Sequence, residues 1–283
     1  PGATAADCSF DLAAPLADPD AHTVQLRLTV TDSRGNVGVD LRTVSIHRDT
    51  TQRFAPRILG ASGESSPVLA DVDRDGVQEI VLGTSDGALH VIRGSDGSDI
   101  PGFPVYTRPL RVPLVAGNGY ATKAVRIPHE AIVASVAADD VDGDGRIESL
   151  LAGTDGGVYL LDDQGKLRRG FPVTTNPAFS GDATLDRHND ADPGIASAPT
   201  LADLDPPGTP GHGTLEIIVG GLDGHLYAWR ANAEPVAGFP VRLADSAKVD
   251  IDPASGKVTP KSGSGAKNRL TKILSSPAIG DLD

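Results

Sequence analysis

Short apolar runs alternate with polar turns along most of the chain, and this pattern predicts β-strands rather than helices. Runs such as "EIVLGT" (79–84) and "ALHVI" (88–92) are too short for typical helices, and an Asp-Gly turn lies between them. An Asp-Gly pair supplies the positive φ that a tight hairpin requires. The sequence therefore predicts an all-β fold of short antiparallel strands.

The same pattern of strands and turns occurs in three copies, at 65–92, 134–161 and 197–229. The motif "GFPV" follows each copy and recurs at steps of 68 residues. A fixed period of this kind is the signature of a repeat architecture. A fourth copy begins with "SSPAIGDLD" at 275–283.

Each copy predicts four short strands, since "GFPV" adds an edge strand in which the proline breaks no ladder bond. Four strands in about 68 residues are typical of a β-propeller blade. A solenoid coil is shorter, and the Trp-Asp pair of a WD40 repeat is absent from the sequence. We therefore predict a propeller segment of three four-stranded blades and the start of a fourth, at about 58–105, 134–173, 196–241 and 275–283 onward. The intervening inserts, at 106–133, 174–195 and 242–274, are typical of surface loops, and we expect 252–267 to be mobile.

The N-terminal region follows a different pattern, in which apolar and polar residues alternate over 22–30 and 37–47 around the turn "DSRGN". This pattern predicts a long hairpin with one buried face. Because an isolated hairpin is marginal in water, we expect the rest of its sandwich upstream of Pro1 or within 1–21. The predicted organisation is a sandwich fragment at 1–50, a linker at 51–57 and the propeller at 58–283.

Two of the copies carry four acidic side chains within nine residues, in "DVDRDGVQE" (71–79) and "DVDGDGRIE" (140–148). Ca²⁺ takes six to eight oxygen ligands, so it needs several hard anions from one flexible turn. A glycine at the sixth position of each run permits the backbone reversal that this geometry requires. We predict calcium ligands from Asp71, Asp73, Asp75, Glu79 and the Val77 carbonyl, and from Asp140, Asp142, Asp144, Glu148 and the Arg146 carbonyl.

An EF-hand is excluded for these runs, because their twelfth positions are Leu82 and Leu151 and not a bidentate glutamate. Two alternatives to calcium stay open. Mg²⁺ is one, although it prefers fewer protein ligands and a stricter octahedron. A solvated acidic turn without a metal is the other.

The third copy departs from this motif, since Asp203 and Asp205 are followed by "PPGTPGHG" before Glu216. This loop either holds a metal or is a proline-stiffened loop that takes the same place without one. In the fourth copy, Asp281 and Asp283 are further candidate ligands, and the sequence ends before the motif is complete.

Composition narrows the classes of partner. The net charge is −13, from 38 acidic and 25 basic side chains, so nucleic acid would be repelled and cations attracted. Apolar runs of membrane-spanning length and a secretory leader are both absent, so we expect no direct membrane insertion. The single cysteine, Cys8, excludes an internal disulfide framework. The sequence contains no methionine, and we expect a processed chain or a piece of a longer one.

The segment "LADVDRDGVQEIVLGTSDGALHVI" and its two sister copies resemble the FG-GAP repeats of integrin-α-like propellers, also called VCBS-type repeats. The resemblance covers about 58–283 and implies a propeller of usually seven or eight blades, with calcium in the loops that join the first two strands of a blade. Further blades would then lie beyond Asp283 or in another chain. The hairpin around "VTDSRGNVG" resembles the end of a bacterial Ig-like module. Together the two parts are similar to the C-terminal regions of large secreted subtilisin-like peptidases.

These expectations combine into a non-catalytic, calcium-stabilised scaffold for adhesion or recognition, secreted or at the cell surface. Its partner would be a protein, a glycan or neighbouring copies of itself. One rival is a propeller enzyme that uses calcium to hold an acidic sugar, for which the sequence offers Tyr106, Arg108, His129 and His188 without a motif. A structural subunit of an extracellular filament is the other rival. The run "RHND" (187–190) is typical of a polar loop.

Aromatic residues share one position in the repeats, where His90, Tyr159 and Tyr227 align. We expect His90 to be a half-buried blade residue. The only tryptophan, Trp229, is expected to pack between blades, with sugar stacking as the alternative.

Overall fold

A computed structural model describes residues 22–46, 53–59, 65–110, 129–179, 194–252, 258–264 and 272–280. The chain divides into two compact units, Pro1–Ala55 and Pro56–Asp283.

The first unit contains the predicted hairpin, formed by the antiparallel strands β1 (His22–Thr31) and β2 (Val37–Ile46). Asp32 closes its turn, since the Asp32 Oδ1 atom accepts hydrogen bonds from the backbone N–H groups of Arg34 and Asn36 at 2.8 and 2.9 Å. An aspartate that bonds the backbone two residues on is a common turn former.

The prediction of one apolar, buried face is wrong for the turn end of this hairpin. Val30 pairs with Gly38 and Thr29 pairs with Val39, so Val30 and Val39 point to opposite faces. Both side chains are about half exposed, at 57 and 49%. The physical reason is the register, which places the apolar positions of β1 opposite the polar positions of β2 near the turn.

The second unit contains three four-stranded antiparallel sheets, each built from four consecutive strands in order. The prediction of an all-β fold with three four-stranded blades is confirmed. The first sheet comprises β3 (Val68–Ala70), β4 (Glu79–Gly83), β5 (Ala88–Ile92) and β6 (Val105–Tyr106). The second comprises β7 (Ala137–Asp139), β8 (Glu148–Ala152), β9 (Gly157–Leu161) and β10 (Val173–Thr174). The third comprises β11 (Thr200–Ala202), β12 (Glu216–Gly220), β13 (His225–Trp229) and β14 (Val241–Arg242).

The sheets pack face to face, and the two faces of the middle sheet contact different neighbours. Leu151 belongs to the core shared with the first sheet, whereas Leu150 belongs to the core shared with the third. Adjacent residues of a strand point to opposite faces, so a strand buried on both sides reads as a continuous apolar run. Trp229 lies in the second of these cores, which confirms that it packs between blades. The first strands β3, β7 and β11 are neighbours, as expected for blades that radiate from a common edge.

The "GFPV" motif forms the fourth strand only from its valine onward, which corrects its prediction as a strand throughout. Its Phe-Pro bond is cis in all three copies, at 103–104, 171–172 and 239–240. The strand then begins at Val105, Val173 or Val241. Its predicted place at the edge of each sheet is confirmed.

The inserts are described in part. A short 3-10 helix, Pro177–Phe179, begins the second insert. In the third, β15 (Val249–Ile251) pairs with β16 (Val258–Pro260), so the segment 252–267 contains one strand, and its mobility stays a prediction. Residues 111–128 and 180–193 lie outside the described part of the chain, as does Cys8.

The start of the fourth copy contacts the third sheet as earlier copies contact their neighbours. The Ile273 N–H donates to the Gly221 carbonyl at 3.3 Å, as the Ile195 N–H does to the Gly153 carbonyl one blade interface earlier. The Ala198 N–H donates to Ser276 Oγ at 2.9 Å, and the Ser66 N–H donates to Ser135 Oγ at 3.0 Å. Residues 272–280 contain no strand.

Candidate metal centres

Each sheet carries an acidic loop between its first and second strands. These are loop 1 (71–79), loop 2 (140–148) and loop 3 (203–216). Loops 1 and 2 share one backbone shape, since Gly76 and Gly145 have φ of +86° and +83°. Arg74 has φ of +60° where loop 2 has Gly143 at +76°. The left-handed region favours glycine, and the shared conformation shows that both loops reverse direction in the same way.

Two aspartates and one glutamate come together in every loop, with one ligand atom of each residue within 4.8 Å of the others. The glutamate opens the second strand of each sheet, and its side chain is at most 1% exposed. One carboxylate oxygen of each glutamate accepts a backbone N–H from the start of its own loop, at 2.7–3.0 Å. The strand therefore fixes a buried carboxylate beneath the loop. The three clusters are Asp71, Asp73 and Glu79; Asp140, Asp142 and Glu148; and Asp203, Asp205 and Glu216.

The third aspartates of loops 1 and 2 stand outside these clusters. Asp75 Oδ1 accepts the Val77 N–H at 2.7 Å, and Asp144 Oδ1 accepts the Arg146 N–H at 2.9 Å. These bonds turn the two side chains toward their own backbone. Ligand roles for both aspartates, and for the carbonyls of Val77 and Arg146, stay predictions. Asp281 and Asp283 lie outside the described residues.

Loop 1 holds several carboxylate oxygens that have no partner. Asp71 Oδ1, Asp73 Oδ1 and Glu79 Oε1 are all buried and make no hydrogen bond. Arg93 reaches the edge of the cluster only, with its Nε 3.3 Å from Asp73 Oδ2. Burial raises the pKa of Glu79 above its ordinary value. Unpaired carboxylate oxygens are costly to bury, and a hard cation is the partner that their chemistry fits.

Loop 2 is partly satisfied by an arginine from the turn after β9. Arg168 Nη1 lies 3.3 Å from Glu148 Oε1, and Arg168 Nη2 pairs with Asp142 Oδ2. Asp142 Oδ1 is buried without a partner. Burial raises the pKa of Glu148 to about 7. A cation that binds at this cluster would share it with the guanidinium or displace it.

In loop 3, every carboxylate of the cluster has a basic side chain as its partner. Arg230 forms a two-pronged ion pair with Asp205, at 2.5 and 2.9 Å, and its Nη1 also donates to Glu216 Oε1 at 2.9 Å. This guanidinium lowers the pKa of Asp205. Asp203 Oδ2 lies 2.8 Å from the Nδ1 atom of His212.

The residues considered for an enzymatic site lie at the far edge of the first sheet. The rings of Tyr106 and His129 are 5.0 Å apart, and the Arg108 N–H donates to Tyr159 Oη at 3.0 Å. Tyr106 belongs to β6, the edge strand opposite β3, and the first strands gather at the other edge. His188 lies outside the described residues.

Sequence reasoning missed all three arginines that contact the acidic clusters, which are Arg93, Arg168 and Arg230. Arg230 follows the last residue of β13, as Arg93 follows the last residue of β5, so aligning the repeats would have placed it near its loop. Arg168 carries no such signal, because the equivalent position in the second repeat is Asp162.

Comparisons with known proteins find structural likeness at low sequence identity. No protein-family model and no curated protein sequence matches the chain. BamB from Moraxella catarrhalis matches at 13% identity and a TM-score of 0.37, over 73% of this chain and 51% of that one. The BBS1N structure in complex with ARL6DN, soaked with mercury, matches at 13% identity and a TM-score of 0.39, over 82% and 59%. The C-terminal WD40 domain of Sif2 matches at 14% identity and a TM-score of 0.32, over 72% and 40%.

The chain thus spans about half of the length of BamB and about three fifths of that of BBS1N. The class of the fold follows from the chain's own sheets: three four-stranded antiparallel sheets that resemble propeller blades, each with an acidic cluster able to hold a metal ion. None of the helices in the described segments has the length and apolar character of a membrane span.

Proposed function

We propose that this chain is part of a calcium-stabilised propeller of the FG-GAP or VCBS type, with loops 1 and 2 as its metal sites. The observation that carries the proposal is the buried Glu79 Oε1 atom, which has no partner and lies within the cluster formed with Asp71 and Asp73. Glu148 with Asp140 and Asp142 would form the second site. Asp75, Asp144 and the carbonyls of Val77 and Arg146 would complete the ligand sets.

Calcium is favoured over magnesium by the ligands themselves. Each loop offers several carboxylates from one turn, which suits the six to eight oxygens and flexible geometry of Ca²⁺. Bound there, the ion would neutralise carboxylates that otherwise repel one another in a buried setting. Because it binds the folded loop only, it would add stability by mass action. At about 1 mM free calcium and a dissociation constant of about 10⁻⁴ M, each site would contribute about 1.4 kcal/mol.

The biological role we propose is a non-catalytic scaffold for adhesion or recognition, secreted or displayed at the cell surface. Millimolar calcium is available there, and extracellular calcium modules have dissociation constants of about 10⁻⁴–10⁻³ M. The partner would be a protein, a glycan or a neighbouring copy in a filament. The hairpin of the first unit would belong to an Ig-like module, as in the C-terminal regions of large secreted subtilisin-like peptidases.

A second candidate function is binding or cleavage of an acidic polysaccharide. A cleft of about 680 Å³ beside loops 2 and 3 is lined by Arg168, Arg169 and Arg230 among other residues. Arg168 and Arg230 are already paired with carboxylates of loops 2 and 3, so the exposed Arg169 would be the guanidinium that binds a uronic-acid unit. Incubation with a uronic-acid polymer separates the roles: shorter products favour an enzyme, and retention without cleavage favours recognition.

The calcium proposal is tested by thermal unfolding in calcium and in EDTA. We expect calcium to raise the melting temperature of the wild type, and Asp73→Asn to lose the part of the rise that loop 1 supplies. Asp250→Asn is the matched control, because it removes one carboxylate from an exposed position outside the loops. Identical melting curves of the wild type with and without calcium would contradict the proposal.

A further inference from the structure

We propose that Arg230 is the built-in cation of loop 3, so that this loop is closed without a metal and excludes one. The inference concerns loop 3 alone and does not require loops 1 and 2 to bind calcium. Of the two alternatives that the sequence leaves open for this loop, it selects the one without a metal.

Every carboxylate oxygen of the loop 3 cluster accepts a hydrogen bond. Arg230 takes both oxygens of Asp205 and one oxygen of Glu216. The remaining Glu216 oxygen accepts the Leu204 N–H at 2.7 Å. The two oxygens of Asp203 accept the N–H groups of Asp205 and Gly213, at 3.0 and 2.8 Å. All six carboxylate oxygens of the cluster are therefore partnered.

The three loops form a graded series in this respect. Among the cluster atoms, loop 1 leaves three buried oxygens without a partner, loop 2 leaves one and loop 3 leaves none. The number of unpartnered oxygens falls as the arginine contacts more of the cluster. Arg93 contacts one aspartate of loop 1, and Arg168 contacts an aspartate and the glutamate of loop 2. Arg230 also contacts an aspartate and the glutamate in loop 3, and its ion pair with the aspartate is bidentate. A guanidinium provides the positive charge and the donors that the carboxylates need.

Arg93 shows that an arginine at this position does not by itself enter the cluster. It follows β5 as Arg230 follows β13, yet its Nη1 atom donates to Ser98 Oγ and to the Asp99 carbonyl, at 3.3 and 3.4 Å. The guanidinium of Arg93 is thereby held at the turn after β5. What differs in the third repeat is the loop that receives the arginine.

The insert "PPGTPGHG" is shaped around this ion pair. Gly211 has φ of +101°, and a Cβ atom at this position would collide with Asp205 Oδ2 and Arg230 Nη1. The residue after the insert holds its end in place, since Thr214 Oγ1 donates to the Gly211 carbonyl at 2.6 Å. His212 adds a second basic group, with its Nδ1 2.8 Å from Asp203 Oδ2. The insert stands where loops 1 and 2 have their third aspartate, and its glycine leaves room for the guanidinium.

The test counts the calcium ions bound per chain by equilibrium dialysis, for the wild type, Asp205→Asn and Arg230→Gln. We expect Asp205→Asn to bind as many ions as the wild type, because loop 3 holds none. We expect Arg230→Gln to bind one ion more, because its cluster regains the vacated carboxylate oxygens. Lys166→Gln, which removes one exposed positive charge from the same unit, is the control and should bind as many calcium ions as the wild type.

Thermal unfolding provides the second measurement. In EDTA, Arg230→Gln should melt below the wild type, and calcium should raise its melting temperature by more than that of the wild type. The inference is overturned if Asp205→Asn binds one ion fewer than the wild type, or if folded Arg230→Gln binds no additional ion. Should Arg230→Gln not fold, the ion count of Asp205→Asn decides alone.

The outcome is separable from that of the proposed function. If the wild type binds no calcium and Arg230→Gln binds one ion, the calcium role of loops 1 and 2 fails and the inference stands. If the wild type binds calcium and Asp205→Asn loses an ion, the inference fails and the proposed function stands.

Discussion

At the scale of single residues, the three sheets differ in the partners of one buried glutamate. Glu79, Glu148 and Glu216 are at most 1% exposed, yet each sits where its strand begins, with one oxygen held by the backbone. What the other oxygen meets differs: nothing in loop 1, Arg168 in loop 2 and Arg230 in loop 3. The same buried glutamate therefore has a free oxygen in loop 1 and an arginine partner in loops 2 and 3.

His90 leads to a pH prediction at the same scale. It is 6% exposed, and neither ring nitrogen makes a hydrogen bond. Burial lowers its pKa below 6.5, although Asp99 (3.9 Å away) and Asp86 act in the opposite direction and Arg57 adds to the lowering. Below pH 6.5 the unfolded chain takes up a proton that the folded chain resists, so stability is lost as the pH falls.

The change that tests this is His90→Phe. We expect the melting temperature of the wild type in EDTA to fall between pH 7 and pH 5 more steeply than that of the variant, because the variant has no proton to gain at this position. Melting curves at half-unit pH steps measure the difference. Parallel curves for the two proteins would show that His90 does not contribute.

At the scale of elements, a tyrosine connects the second sheet to the first, and another connects the third sheet to the second. Tyr159 Oη accepts the N–H of Arg108, and Tyr227 Oη accepts the N–H of Asn176, both at 3.0 Å and both 51 residues back along the chain. These bonds join β9 and β13 to the segments that follow the edge strands β6 and β10. His90 holds the same position in the first sheet.

The hydroxyl groups of the two tyrosines differ in one hydrogen bond, so replacing each tyrosine by phenylalanine gives a matched pair of variants. Tyr227 Oη also donates to the fully buried Asp223 at 2.5 Å. We expect Tyr159→Phe to lower the free energy of unfolding by about 0.5–1.5 kcal/mol, the usual value of one hydrogen bond. Tyr227→Phe should cost about 1–3 kcal/mol more, because it leaves a buried carboxylate without its donor. Chemical denaturation measures both, and equal losses would contradict the assigned role of Asp223.

Much of the second unit could be predicted from the sequence, because its repeats keep strand and turn residues in register. Asp71, Asp73 and Glu79 could also be grouped, since a nine-residue loop that reverses at Gly76 returns its end to its start. The contribution of Arg168 could not, because it reaches Glu148 across 20 positions of the sequence. The prediction of one apolar face for the hairpin of the first unit failed for a different reason. Alternation within β1 and within β2 does not reveal that their register places Val30 and Val39 on opposite faces.

At the scale of the whole molecule, the chain carries a net charge of −13, and part of this charge is concentrated in three loops that join first to second strands. A strongly acidic molecule resists compaction through self-repulsion, and bound cations relieve it. Arg230 supplies that relief internally in loop 3, and we propose that calcium supplies it in loops 1 and 2. The stability of the propeller segment would then follow the calcium concentration of its surroundings.

The most direct test is a crystal structure of the whole chain, grown in millimolar calcium. Anomalous scattering data would then locate any calcium ions at the three loops. The account predicts an anomalous peak in loop 1 with oxygens of Asp71, Asp73 and Glu79 about 2.3–2.6 Å away, a peak in loop 2, and the Arg230 guanidinium in loop 3. The absence of a peak from loop 1, with its carboxylates turned toward solvent or bound to water, would contradict it.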